Sequence, residues 1–417
     1  MKTTRTIACV TLSLTALCGC AGPKFVKQAS PELAVPRRVL ELPSSKEVPR
    51  TGEGDTIRLK NGDYLHVYSH FTAGDGTDFT PGEIRSRVSH DGGLTWSTNS
   101  VLVAPRQAKV NEMSVSLLRL RCGDLALFYL QKNSRYDCCP VVRISKDEAK
   151  TWGPARSILG GAGRSYYVVN NCRAEMLSTG RIVVPYALHP AVMRDEDKKP
   201  EMNHYGFAGT FYSDDDGKTW CRGAGLLVGN YFDAAGKLCR TTFQEPGLFE
   251  LKDGRLGMYI RTFDGCQFIT YSSDGGETWC RAVPWTLNSP CSPATVKRLR
   301  NGDLVAIWND HAGHPELKMQ RAPLVMATSS DEGRTWQNRK VLEGYLKGWF
   351  SYISCYETHD DALILSYWTR GSRLTRVPLE WLYGEDERPF FMHPGWDCDD
   401  AQPEISEARL RQISLGQ

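Results

Sequence analysis

An octapeptide, Ser-x-Asp-x-Gly-x-Thr-Trp, recurs along the chain as SHDGGLTW (89–96), SDDDGKTW (213–220), SSDGGETW (272–279) and SSDEGRTW (329–336), with a degenerate copy, SKDEAKTW (145–152). Self-similarity at a period of roughly 60 residues marks an array of like supersecondary units packed side by side. Within each copy, Ser and Asp side chains suit bonds to nearby backbone amides, Gly suits a positive φ, and Trp offers an apolar plug for its own unit. The box therefore reads as a folding device. A calcium loop would need more oxygen ligands per turn.

A second repeat interleaves with the first. Apolar runs joined by turns appear at LKNGDYLHVY (59–68), LRCGDLALFY (120–129), STGRIVVPY (178–186), LKDGRLGMYI (251–260), RNGDLVAIW (300–308) and HDDALILSYW (359–368). Such runs are strand signals, and no long helical periodicity interrupts them. The five boxes fall one after each of the first five hairpins. The sixth unit has no box, but SRLTRVPLEWL (372–382) supplies another strand and VPRRVLEL (35–42) the last. Sharing a unit between the chain ends removes the exposed edge of an open ring. The expected fold is all-β: one six-bladed β-propeller over residues 35–390, with a loop insertion around 187–207 and a tail over 391–417.

At the beginning of the chain, Lys2 and Arg5 precede an apolar stretch from Ile7 to Leu17 that is too short to span a bilayer. The string LCGC (17–20) resembles a bacterial lipobox. That resemblance implies a signal peptide over 1–19, acylation of Cys20, a tether over 20–34, and an exported lipoprotein on the periplasmic or cell-surface side of a membrane. An ordinary cleaved signal with free release is the alternative. Fourteen cysteines suit an oxidising compartment, and setting aside Cys9, Cys18 and Cys20 leaves an odd number, so at least one is unpaired. Adjacent Cys138 and Cys139 are expected in different bonds or in none. A net charge of +3 over 417 residues, without a basic stripe, argues against a nucleic-acid partner. No Cys or His spacing suggests a metal, and His311 and His314 alone do not.

Aspartate boxes in a six-bladed ring resemble the sialidase superfamily, and the likeness extends beyond the boxes. FQEPGLFELKDGRLGMYIRTFDG (243–265) resembles the sialidase stretch in which a glutamate opens one strand and an arginine closes the next, placing Glu245 and Arg261. In RAPLVMATSSDEGRTW (321–336), Arg321 stands where sialidases carry an arginine ahead of a box, and in SYISCYETHDDALILSYW (351–368) Tyr352 falls on the nucleophile position. Sialidases also place an aspartate on a loop before the first box. In HFTAGDGTDFTPGE (70–83), Asp78 takes that place and Asp75 is a rival.

The resemblance implies one chemistry. A sialic acid carries a carboxylate on its anomeric carbon, so a neutral phenol meets less repulsion there than a carboxylate nucleophile, and sialidases are the tyrosine exception among retaining glycosidases. Glu245 would take the proton of Tyr352, Asp78 would protonate the leaving oxygen, and Arg261 with Arg321 would clamp the substrate carboxylate. No cofactor is needed. The chain departs from the family where a first-blade arginine motif is expected: the region reads PRTGEGDTIRLKNG (49–62), so Arg50 serves only if the strand entry is shifted, and Glu53 in its place would favour a hydroxyl. The strings YYVVNNCR (166–173) and WNDHAGH (308–314) offer Asn170, Asn171, Asn309, Asp310 and His311 as sugar-hydroxyl ligands, or as core and turn residues. Three functions follow: a sialidase-type exo-glycosidase acting on a terminal acidic sugar of extracellular glycans, a hydrolase or lyase acting on a uronic-acid-containing polysaccharide, and a non-catalytic glycan-binding propeller.

Overall fold

The computed structural model describes residues 25–385, except 27, 29, 234, 312–319 and 346–347. Apolar runs separated by Gly-centred turns fold back on one another as antiparallel strands in six blades, each called a sheet below, the first three being linked by single bridges between Gly82 and Asn111 and between Cys138 and Tyr166. Sheet one comprises Arg50–Arg58, Tyr64–Phe71, Gly82–Ser89 and Val101–Ala104, and sheet two Asn111–Arg119, Leu125–Lys132, Cys138–Ser145 and Arg156–Ser157. Sheet three is built on Ile182–His189 and Phe207–Ser213, with an inner strand split into Tyr166–Val168 and Glu175–Met176. Sheet four holds Gln244–Glu250, Leu256–Arg261, Cys266–Ser272 and Val283–Asn288; sheet five holds Thr295–Arg298, Leu304–Asn309, Leu324–Ser329 and Gln337–Glu343. The sixth takes Ser351–Glu357, Ala362–Trp368 and Ser372–Pro378, and its outer strand is Arg37–Leu42 from the other end of the described chain. This is the six-bladed propeller.

The core lies between neighbouring sheets. Phe128, Val142 and Phe211 pack between sheets two and three, and Ile307, Met326 and Leu365 between five and six. The ring is clasped where its ends meet: Glu343, wholly buried on sheet five, accepts from Arg38 (2.9 Å), Arg373 (3.1 Å) and the Tyr367 hydroxyl (2.6 Å) of sheet six. The run 372–382 is not a single strand as expected. It ends at Pro378, and Leu379–Tyr383 forms a helical turn that buries Leu379, Trp381 and Leu382.

The boxes perform the turn chemistry their residues suggest. In the last one, Asp331 Oδ1 accepts from the Ser329 hydroxyl (2.8 Å) and the Thr335 amide (2.9 Å), Oδ2 accepts from the Thr335 hydroxyl (2.6 Å), and the Gly333 amide donates to Ser329 Oγ (2.8 Å). The tryptophans do more than plug their own sheets: Trp96 packs against Ile364 and Leu374 of sheet six, Trp220 against Phe128 of sheet two, and Trp336 against Trp285 of sheet four. The side chain is larger than the gap within one sheet and seals the seam with the preceding one.

Bonds from the Thr151 and Thr335 hydroxyls hold the Asp147 and Asp331 carboxyls down at about 2. Carboxyls depressed below their unfolded value of about 3.9 contribute stability that is complete above that value and is lost as pH falls through the folded one. The melting temperature is therefore expected to fall steeply between about pH 4 and pH 2. A melting temperature that is flat across that window, followed by circular dichroism, would contradict this role of the boxes.

Candidate functional site

Each inner strand runs from one face of the ring to a hairpin turn at the other, and antiparallel pairing brings the boxes to the turn face. The opposite face receives the starts of the inner strands and the ends of the second strands, and the candidate residues gather there. In four sheets the inner strand is interrupted near its start by a bulge, with register shifts between Gly52 and Asp55, Met113 and Ser116, Gln244 and Gly247, and Ser351 and Ser354. Each bulge holds one residue in the left-handed region: Glu53 (φ 49°), Ser114 (62°), Glu245 (44°) and Tyr352 (57°). A bulge re-aims a side chain, and left-handed non-glycine residues cost about 1–3 kcal/mol each, a strain concentrated at functional sites. Second-strand ends add Lys132, His189 and Arg261 to the same face.

These residues surround one cavity of about 300 Å³. Glu53, Asp78, Ser114, Lys132, Asn170, Glu245, Arg261 and Tyr352 all line it. Arg261 Nη1 donates to Glu245 Oε2 at 2.5 Å and its Nε donates to Cys291 Sγ at 3.2 Å. Arg321 lies over the Tyr352 ring, 5.4 Å from its centroid, and over Trp349 at 4.7 Å. Burial raises the Tyr352 phenol, the neighbouring Glu245 charge raises it further, and Arg321 and Arg261 oppose both. The Tyr352 phenol is therefore protonated at neutral pH, with the Glu245 carboxyl beside it.

The opposite wall is a charge cluster. Arg50 Nη1 donates to Asp78 Oδ1 at 2.6 Å, and Nη2 donates to Glu53 Oε1. The guanidinium is nearly buried, between the Phe71 and Trp368 rings at 4.8 Å from each centroid. Lys132, also buried, donates to the Asp78 carbonyl at 3.0 Å. Enclosure disfavours the Asp78 charge, but Lys132 and Arg50 prevail and hold its carboxyl well below the usual range. Glu53 moves the other way: burial raises it, against the pull of Arg50 and with the push of Asp78. Its Oε2 accepts from the Ser114 hydroxyl at 2.6 Å.

The cavity gathers Tyr352, Glu245, Asp78, Arg261, Glu53 and Asn170 of the sequence-based set, with Arg321 against Tyr352. Asn170 Oδ1 accepts the Asn171 amide, and its buried Nδ2 is left without a partner at the cavity wall. Asp75 is corrected: it serves its own loop, accepting the Thr77 amide at 3.0 Å. Asn171 is corrected as a sugar ligand because its Nδ2 donates to the Gly54 and Tyr352 carbonyls, at 2.9 and 3.0 Å, and it does not line the cavity. Asp310 is corrected too. It is wholly buried and ion-paired with Arg339, so its place is in the packing of sheet five. Asn309 likewise donates to the Phe350 carbonyl at 3.0 Å. Arg50 reaches the site from the strand start, but behind Glu53 and Asp78 and already paired. Cys20 and His314 lie outside the described residues. The ten described cysteines are all free, Cys138 and Cys139 among them.

Sequence reasoning missed Lys132, Ser114, Met202 and His204. Lys132 ends its second strand as Arg261 ends that of sheet four, and this parallel was available. Met202 and His204 come from the insertion, which holds a hairpin, Ala191–Met193 with Pro200–Met202, and no local motif announces that it reaches the cavity. Among the described residues no His, Cys, Asp and Glu cluster is arranged to hold a metal, and no helix is long and apolar enough to cross a membrane.

Fold and cleft together define a sialidase-like propeller. Residues 67–364 match the model of the BNR repeat-like domain, and the chain belongs to that family within the sialidase superfamily. It is 28% identical over 172 residues to the anhydrosialidase of Macrobdella decora, a match spanning 39% of this chain and 19% of that protein. The chain thus matches about one fifth of the length of that curated relative. Among solved structures it resembles the intramolecular trans-sialidase of Ruminococcus gnavus in complex with oseltamivir carboxylate, with a TM-score of 0.62 and 12% identity, over 83% of this chain and 98% of that one. A protein of unknown function from Dyadobacter fermentans is equally similar in fold, with a TM-score of 0.62 and 16% identity, over 82% and 99% of the two chains.

Proposed function

We propose that the protein is an exo-glycosidase of sialidase type that hydrolyses a terminal acidic sugar from glycans with retention, using Tyr352 as nucleophile. The observation that carries this reading is the meeting of Tyr352 and Glu245, both held in left-handed bulges, with Arg261 at one cavity, and with Arg321 over the Tyr352 ring. Glu245 takes the phenol proton as Tyr352 attacks the anomeric carbon. Arg261 and Arg321 receive the carboxylate that sits on the same carbon. The acid that protonates the leaving oxygen comes from the pair on Arg50; the family resemblance assigns that role to Asp78. Asn170 offers its free donor to a ring substituent. About 300 Å³ is at the small end of ligand pockets, room for one sugar rather than a chain.

One feature favours the second reading, another acidic sugar such as a uronic acid. Arg50 is paired with both Glu53 and Asp78 and does not line the cavity, whereas Arg261, paired with Glu245 alone, does. Fluorescence release from 4-methylumbelliferyl α-sialoside tests the first reading. No release from folded protein would move the assignment to uronic-acid glycans, with glycan binding alone to be tested after them.

We also propose export and anchoring through an acylated Cys20. Radiolabelled palmitate is expected to enter the protein in bacterial cells and to be lost in Cys20→Ser; equal labelling of both would remove the anchor.

A further inference from the structure

We propose that Cys291 is a positioning residue of this site: its sulfur fixes the plane of the Arg261 guanidinium, so that the arginine meets a substrate carboxylate already oriented. This role rests on the reading of Arg261 as a carboxylate ligand, and Cys291 acts through it without lining the cavity itself. Arg261 Nε donates to Cys291 Sγ at 3.2 Å, and Nη1 donates to Glu245 Oε2 at 2.5 Å. A single bond at Nη1 would leave the planar group free to swivel about it, whereas bonds at two of its nitrogens hold its plane. Among the described residues Nη2 makes no hydrogen bond, and Arg261 lines the cavity.

The loop that carries Cys291 is built to hold the sulfur still. In Ser289-Pro290-Cys291-Ser292-Pro293 a proline stands on either side, and each proline ring restricts the backbone. The Ser292 amide donates to the Pro290 carbonyl at 2.7 Å, which closes a three-residue turn with Cys291 at its tip. Gln267, wholly buried, grips both sides of that turn: its Nε2 donates to Ser289 Oγ at 2.8 Å and to the Ser292 carbonyl at 3.0 Å. The Ser289 amide donates in turn to the Gly265 carbonyl at 2.9 Å. Gln267 lies on the strand that follows Arg261 in sheet four, and Gly265 lies in the connection between the two, so arginine and thiol are registered by the same sheet.

A thiol suits this position because it accepts a hydrogen bond weakly and without charge. Arg50 shows the alternative: two carboxylates, Glu53 and Asp78, hold it, and it does not line the cavity. With Glu245 as its one ionic partner, Arg261 forms a neutral pair. A second carboxylate at Nε would make that group anionic and would repel the carboxylate of a substrate, whereas a thiol orients the guanidinium without adding charge.

The test is steady-state kinetics of the full chain on 4-methylumbelliferyl α-sialoside. Cys291→Ala removes the acceptor at Nε and leaves the Glu245 bond, so KM is expected to rise about 3- to 10-fold while kcat stays within about threefold of wild type. The retained kcat itself shows that the variant is folded. Cys291→Asp, which gives Arg261 a second carboxylate, is expected to raise KM beyond Cys291→Ala. The deciding measurement is a double-mutant cycle. Lysine has no Nε–H to donate at that place, so in an Arg261→Lys background the further change Cys291→Ala is expected to move KM by less than about twofold. A KM unmoved in Cys291→Ala, a loss confined to kcat, a KM in Cys291→Asp below that of Cys291→Ala, or KM rises that multiply in the double variant would each overturn the positioning role while wild-type turnover stands. Wild type that cleaves no sialoside would instead remove the parent reading, and this one with it.

Discussion

Tyr352→Phe is expected to lower turnover of an aryl α-sialoside by about 10³- to 10⁶-fold while leaving the ring folded. The chemistry loses its nucleophile, but the packing loses almost nothing. Among the described residues, the Tyr352 hydroxyl makes no hydrogen bond that fixes the fold, and the phenyl ring keeps its contacts with Trp368, at 6.2 Å between centroids, and with the Arg321 guanidinium. Melting within a few degrees of wild type is therefore expected alongside the loss of turnover. Normal turnover in folded Tyr352→Phe would take the nucleophile away from this residue.

Arg261→Lys carries the second large effect. The guanidinium reaches Glu245 at 2.5 Å and faces the cavity, so it both positions the base and presents a flat fork to a carboxylate. Lysine keeps the positive charge that the partly buried Glu245 needs, and the fold survives, but a point charge replaces a bidentate donor. Losing about 2–3 kcal/mol of substrate binding corresponds to a rise in KM of ~30- to 150-fold. An unchanged KM for the sialoside would mean that the carboxylate is not bound here, and would direct attention to Lys132 on the opposite wall.

The architecture was legible because it is written in repeated local chemistry. The Ser–Asp–Thr bonds of the boxes and the Gly turns of the hairpins are made within a few residues, so pattern alone places them, and the count of hairpins predicts the six sheets. Glu245, Arg261 and Tyr352 were legible only through the resemblance of their segments to sialidase stretches, and each stands at a strand start or end. Asp310 and Asn171 misled because polarity in a sequence does not say whether a partner waits inside; Arg339 and two backbone carbonyls absorb them. Glu53 was read as an acidic group in the expected arginine's place that would favour a substrate hydroxyl. Its meaning depends on a bulge, on the Val67 carbonyl packed against Gly54 and on the serine of the next sheet, all of them contacts between segments far apart in the chain. The reach of Met202 and His204 into the cavity is non-local in the same way.

A covalent bond between sugar and Tyr352 is the central step expected of this site. The measurement is mass spectrometry of the full chain quenched during turnover of a 3-fluorosialosyl fluoride, whose fluorines permit formation of the glycosyl-enzyme and slow its hydrolysis. The predicted result is one added sialosyl mass on the peptide that contains Tyr352, absent from Tyr352→Phe. Release of fluoride and sugar without any adduct, or with the adduct on another residue, would contradict it.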